Sequence, residues 1–273
     1  MKNHFMAVAV GGLLVASIQA KAANNESEEC AIYVGQTVTP QSFDQATGGF
    51  AALPPKGEFE TTAAYEARKA SALGAASGVL IIGKEPEDRK YFEYNADSQR
   101  LGIKSYAFDN TSFDAWKSFY AAGYYGKIEV STMGNIDAVI SSVDKPNGTY
   151  EGSNSFGAKA TIQKVHRTTT AIFEGAGRPL NNGLFPQAEK SPYEVASLQL
   201  TPSEAQQLKP LLQVAFVVQP KEPFVVKGTR SVGETTIRNP IDVTEDFEVL
   251  VADFRCGLLL DGNNKVLGSY ATR

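Results

Sequence analysis

The chain holds only two cysteines, Cys30 and Cys256, one near each end of its 273 residues. If they are bonded, the first and last structured segments must meet in one core, closing a loop of more than two hundred residues. Such a link contributes at most ~5 kcal/mol in the chain-entropy model. Local patterning favours the bond. Leu250, Ala252, Phe254, Cys256, Leu258 and Leu260 occupy alternate positions, while Asp253 and Arg255 lie between them. A period of two predicts a half-buried strand with Cys256 directed inward. Ile32 and Val34 share the parity of Cys30, which predicts a second strand over 30–34. An even cysteine count suits an oxidising compartment.

The N-terminus points to the same compartment. Lys2 precedes an apolar run over 5–20, and Ala20-Lys21-Ala22 places small residues where a signal peptidase reads them. Cleavage is expected after Ala22, leaving 23–273 as a single exported globular unit, periplasmic or secreted. The apolar run is short for a bilayer span, and nothing downstream approaches spanning length. Cys30 lies eight residues beyond the cut, so it is not a lipoprotein cysteine. Processing removes Lys2 and Lys21 and no acid, so 26 bases against 30 acids become 24 against 30, net −6. An acidic chain without clustered Lys and Arg is a poor match for nucleic acid.

Between the cysteines, strand patterns dominate. Turn formers make 35–57 a loop, and Thr61 or Thr62 then caps a helix running to Leu73, with Gly74 as its stop. Residues 78–83 read as a strand, and 90–108 as a hairpin turning near 95–99. Phe113, Trp116 and Tyr120 recur at helical spacing, and strands follow over 126–132 and 137–143. The stretch 144–154, with Pro146 and Gly148, reads as a loop and is where two lobes would divide. A strand from Phe156 is expected to return through 168–175 as its own antiparallel partner, followed by a loop over 174–193. Thr201-Pro202-Ser203-Glu204 carries a capping box, and Pro210 ends that helix. Strands over 211–218 and 223–228 lead to a C-terminal hairpin turning at Asp261-Gly262. The fold class expected is α+β and strand-dominated: antiparallel, sandwich-like sheets with about three short helices.

Catalytic constellations are sparse. His166 is the only histidine left after processing, so a Ser-His or Cys-His site would have to use it, and no nucleophile elbow is present. One histidine and two bonded cysteines do not make a zinc site. Asp261-Gly262-Asn263-Asn264-Lys265 has a lysine where calcium needs an oxygen, so it is a turn. Gly175 and Gly177 are a fragment of a phosphate loop without its strand-to-helix context, leaving Arg178 as a loop residue. No cofactor and no metal are expected. Paired carboxylates need no motif; Asp109 with Asp114, and Glu248 with Asp253, are the pairs that proximity in sequence offers. The rings of 108–125 suit sugar or peptide contact. Asp109, Asp114, Trp116, Tyr124 and Tyr125 form the candidate interaction surface, although helical spacing of such rings equally describes a core face.

Three segments carry a resemblance: Pro54-Pro55-Lys56-Gly57-Glu58-Phe59-Glu60 running into Ala67-Arg68-Lys69-Ala70, the Asn154-Ser155-Phe156-Gly157 motif, and the stretch 252–270. Together they resemble a pattern in uncharacterised exported bacterial proteins, which implies a bacterial periplasmic location and no known activity. The function expected is that of a non-enzymatic binding or structural module acting on a protein or envelope component. The alternative is a carboxylate-dependent hydrolase of envelope polysaccharide.

Overall fold

The computed structural model describes residues 28–51, 54, 56–73, 78–84, 89–108, 113–130, 137–175 and 194–271. Its spine is a pair of antiparallel strands of 20 residues each, β7 (Gln213–Val232) and β8 (Ile241–Leu260). β8 is central because it is apolar on both faces: Phe247, Val249 and Val251 point one way, Leu250, Ala252 and Phe254 the other, and all are buried. The strand expected to be half-buried is therefore buried on both faces over 249–260, apart from the half-buried Asp253 and Arg255. Its inward parity also reverses, since Val217 pairs with Cys256 but Val218 with Phe254, leaving Arg255 as the extra residue of a bulge. Beyond the bulge, Cys256, Leu258 and Leu260 occupy the face opposite to that of Phe254.

β1 (Leu80–Lys84) pairs with β7, and β9 (Val266–Ala271) pairs with the C-terminal part of β8. The same side of β8 is taken further back by β5 (Lys159–Glu174), in parallel, and β5 pairs in turn with β4 (Asp137–Ser153). The six-stranded sheet thus runs β1-β7-β8-β5-β4, with β9 off this path. A second sheet of β2 (Phe92–Asn95), β3 (Arg100–Lys104) and β6 (Glu194–Gln199) packs against its back face. Phe92, Leu101, Ile103 and Leu198 there meet Ile82, Phe216, Leu250 and Phe254, all buried. The result is a strand-dominated, sandwich-like α+β fold.

Among the described residues four α-helices lie on this frame: α1 (Phe43–Ala51), α2 (Thr62–Leu73), α3 (Ala115–Ala121) and α4 (Pro202–Leu208). α1 falls inside the expected loop of 35–57. Ser42 and Gln45 cap it reciprocally, at 3.3 and 3.0 Å, and Phe43, Ala46 and Phe50 are its buried stripe. α4 has the expected capping box between Thr201 and Glu204.

Other expected elements differ. Residues 31–33 form a 3₁₀ turn closed by Tyr33 N–H donating to Cys30 O, not a strand, so Ile32 and Val34 are 73% and 44% exposed. Cys30 is nevertheless buried and bonded to Cys256, at a sequence separation of 226. The strap around it follows β9, exchanging Gly35 N–H to Val266 O and Val266 N–H to Gln36 O. The lobe boundary expected at 144–154 is the middle of β4; Pro146 and Gly148 sit at a break in register on an edge strand, where a missing N–H is tolerated. The strand expected from Phe156 starts at Lys159, and 159–174 is one strand, not a hairpin. The residues 126–130 hold only an isolated bridge between Tyr125 and Ile128, and 131–132 lie outside the described residues. Strands 211–218 and 223–228 are parts of one β7, interrupted by a break in pairing between Pro220 and Val225.

Candidate functional site

α3 and the chain after it supply rings to two environments. Asp114 starts the helix: its carboxylate accepts from Lys117 N–H at 3.1 Å and lies 3.3 Å from Lys117 Nζ. Phe113 and Phe119 face the sheet, meeting Phe247 and Phe173 at ring distances of 6.1 and 4.8 Å. Tyr124 is half-buried against the same cluster, with Lys127 Nζ 5.8 Å from its ring. Trp116 and Tyr120 point the other way. They stack at 5.8 Å, and Tyr125 stands edge-on to both, at 5.8 and 5.7 Å. Tyr120 is 61% and Tyr125 55% exposed, whereas Trp116 is half-buried, its Nε1 shielded from solvent and without an acceptor.

Of the five sequence-derived surface residues, the structure thus brings Trp116 and Tyr125 together and adds Tyr120. Tyr124 belongs to the core side, and Asp114 is committed to capping; Asp109 lies outside the described residues. The members of the second carboxylate pair are each held by a different lysine. Glu248 is held by Lys227 at 2.7 Å and Asp253 by Lys221 at 3.0 Å. His166 sits in mid-strand, opposite Lys145 and Thr244, with Nε2 3.2 Å from Asp246. Among the described residues no three His, Cys, Asp or Glu side chains are grouped to hold a metal ion. Arg178 lies outside the described residues.

Below α3, four charges of alternating sign cross the sheet: Arg230 on β7, Glu245 on β8, Arg167 on β5 and Asp144 on β4. Arg230 Nε donates to Glu245 at 2.7 Å, and Thr169 Oγ1 donates to the other carboxylate oxygen at 2.6 Å. Arg167 grips Asp144 with two bonds, at 2.6 and 2.8 Å, which hold the Asp144 carboxyl below its usual range. The Arg230 guanidinium also lies 5.7 Å from the Phe113 ring. Beyond this row the sheet is an arm with solvent on both sides. Its tip, Asn154 to Ala158, is tied by Asn154 Oδ1, which accepts from Phe156 N–H and Ala158 N–H, and it leaves Phe156 94% exposed.

The segment before α2 is a clasp. Arg68 donates to both Glu60 oxygens, at 3.0 and 2.7 Å, and to Pro54 O at 2.9 Å, drawing the Glu60 pKa down. Arg68 and Lys69 lie 5.1 and 5.6 Å from the Tyr65 ring, and Lys69 reaches Glu222 in the interruption of β7 at 3.0 Å. Arg68 thus ties α2 to the segment before it, and Lys69 ties it to β7.

Comparison of the chain with protein-family models, curated proteins and solved structures returns no match.

Proposed function

We propose that this is an exported, periplasmic protein that acts without catalysis, binding a protein or envelope component through Trp116, Tyr120 and Tyr125. One observation carries this: α3 and its flanks send Phe113 and Phe119 into the core but leave Tyr120 and Tyr125 exposed, packed on one another and on a half-buried Trp116. A tyrosine left more than half exposed forgoes on the order of 2 kcal/mol of burial, at about 25 cal/mol per Å² over ~100 Å². A partner that covers the rings recovers it. The Cys30–Cys256 bond and the absence, among the described residues, of a helix long and apolar enough to cross a membrane support an exported chain.

The test is sedimentation of the purified protein with bacterial envelope fractions. The parent chain is expected to cosediment, and Trp116→Ala with Tyr120→Ala to lose most of that binding at unchanged melting temperature. Equal retention of the double variant rejects the patch as the contact surface. Release of soluble glycan by the parent chain, abolished by Asp114→Ala, rejects the non-catalytic assignment.

A further inference from the structure

β1 covers the outer side of β7 only from Val214 to Val218. After the interruption, β7 runs in unbroken register with β8 from Val225 to Val232, and no described strand pairs with its other side. Backbone N–H and C=O groups on such an edge are a template for another strand, and folded proteins guard them with proline, bulges or free charges. The opposite edge of the sheet is guarded: β4 carries Pro146 and two breaks in register, one on each side of the segment from Ser141 to Pro146. The β7 edge is not. It has no proline and no bulge over 225–232, and its polar side chains are turned back onto β8. Lys227 bonds Glu248 at 2.7 Å, Thr229 bonds Asp246 at 2.5 Å, and Arg230 bonds Glu245 at 2.7 Å. The Arg230 side chain is only 7% exposed although the residue as a whole is not buried, so part of its accessible surface is main chain.

The face of β7 beside this edge is covered by the end of α3. α3 crosses β7 so closely that a Cβ on Gly228 would lie 3.2 Å from Ala122 Cβ. The outward rings of α3 therefore stand about one helix diameter, ~10 Å, above the sheet face that this edge borders. We propose that the outer side of 225–232 is a docking site for an extended segment of a partner polypeptide, which adds as a strand and turns an apolar or aromatic side chain up to Trp116 and Tyr120. Backbone pairing supplies the affinity and the rings supply the selectivity, as in strand addition generally. The proposal rests on the assignment of the rings as a binding surface and adds the kind of partner.

The probe is a random twelve-residue peptide library, selected against the intact oxidised chain. Selected peptides are expected to slow amide exchange across 225–232 and to bind at least tenfold more weakly when alternate peptide nitrogens are methylated. N-methylation at the intervening positions should change binding less than threefold, the signature of one bonded side of a strand. Trp116→Ala is expected to weaken the same peptides. Peptides that need Trp116 but tolerate methylation everywhere keep the binding surface and overturn strand addition. Failure to select any peptide, or protection elsewhere, also overturns it. If the free chain already protects 225–232 and releases it on dilution, the occupant is a second copy and the partner assigned here is wrong.

Discussion

Replacing Arg230 by methionine would test what holds the sheet together where α3 ceases to cover it. Arg230 and Glu245 have side chains only 7% and 4% exposed, so solvent screens their 2.7 Å pair very little. Removing one member of a buried pair leaves the other charge uncompensated, at about 3–5 kcal/mol. Two groups soften the loss here. Thr169 still donates to Glu245, and Arg167 lies opposite it on β5. The low end, about 3 kcal/mol, is therefore expected for Arg230→Met. A chain of this size shifts its melting temperature by about 2–4 °C per kcal/mol, so the change is ~6–12 °C. Urea unfolding should be followed by circular dichroism and by the fluorescence of the single tryptophan, Trp116. Adding Glu245→Leu to Arg230→Met is expected to restore most of the stability, because the orphaned carboxylate is then gone. A loss below about 1 kcal/mol for the single variant, or a double variant clearly less stable than the single one, would refute this account of the row.

Three further outcomes are expected. Neither cysteine should react with an alkylating agent in the non-reduced protein, as read by mass spectrometry, and Cys30→Ser with Cys256→Ser should lower stability by up to ~5 kcal/mol in urea. Arg167 holds the Asp144 carboxyl below its ordinary value, so its contribution is complete above the unfolded carboxylate pKa and is lost as pH falls through the folded one. The stability difference between the parent and Asp144→Asn should accordingly shrink towards zero at the acid end of a denaturation series. Ser42→Ala should reduce stability by about 1 kcal/mol through the lost cap of α1, and thermal melts would register it.

Much of this architecture is written in short-range patterns. The α4 capping box, the β2–β3 hairpin and the final turn at Asp261 and Gly262 are visible because local bonds make them. α1 was missed in the loop expected over 35–57, although Ser42-Phe43-Asp44-Gln45 is a capping-box signature followed by an apolar stripe, obscured by the Gly48-Gly49 pair within the helix. The long strands were not legible either. Pro146 and Gly148 signal a loop in any local window, and only the position of β4 on the sheet edge lets them stay in a strand. The parity of β8 could not be read past Arg255, because a bulge is set by the partner strand. The ring cluster was half legible. Helical spacing groups Trp116 with Tyr120, but Tyr125 joins them through the turn after the helix, which no periodicity describes.

The bond between Cys30 and Cys256 spans nearly every element of the fold, including the hairpin tip at Asn154 to Ala158. A protease that cuts this exposed tip would not release either piece. The two fragments would stay covalently joined through the strap and β8, and β4 and β5 would keep their pairing across the break. Such a nicked chain runs as one species until a reductant is added, so loss of mass on a gel reports reduction as much as cleavage. The tip can therefore be opened without dismantling the molecule.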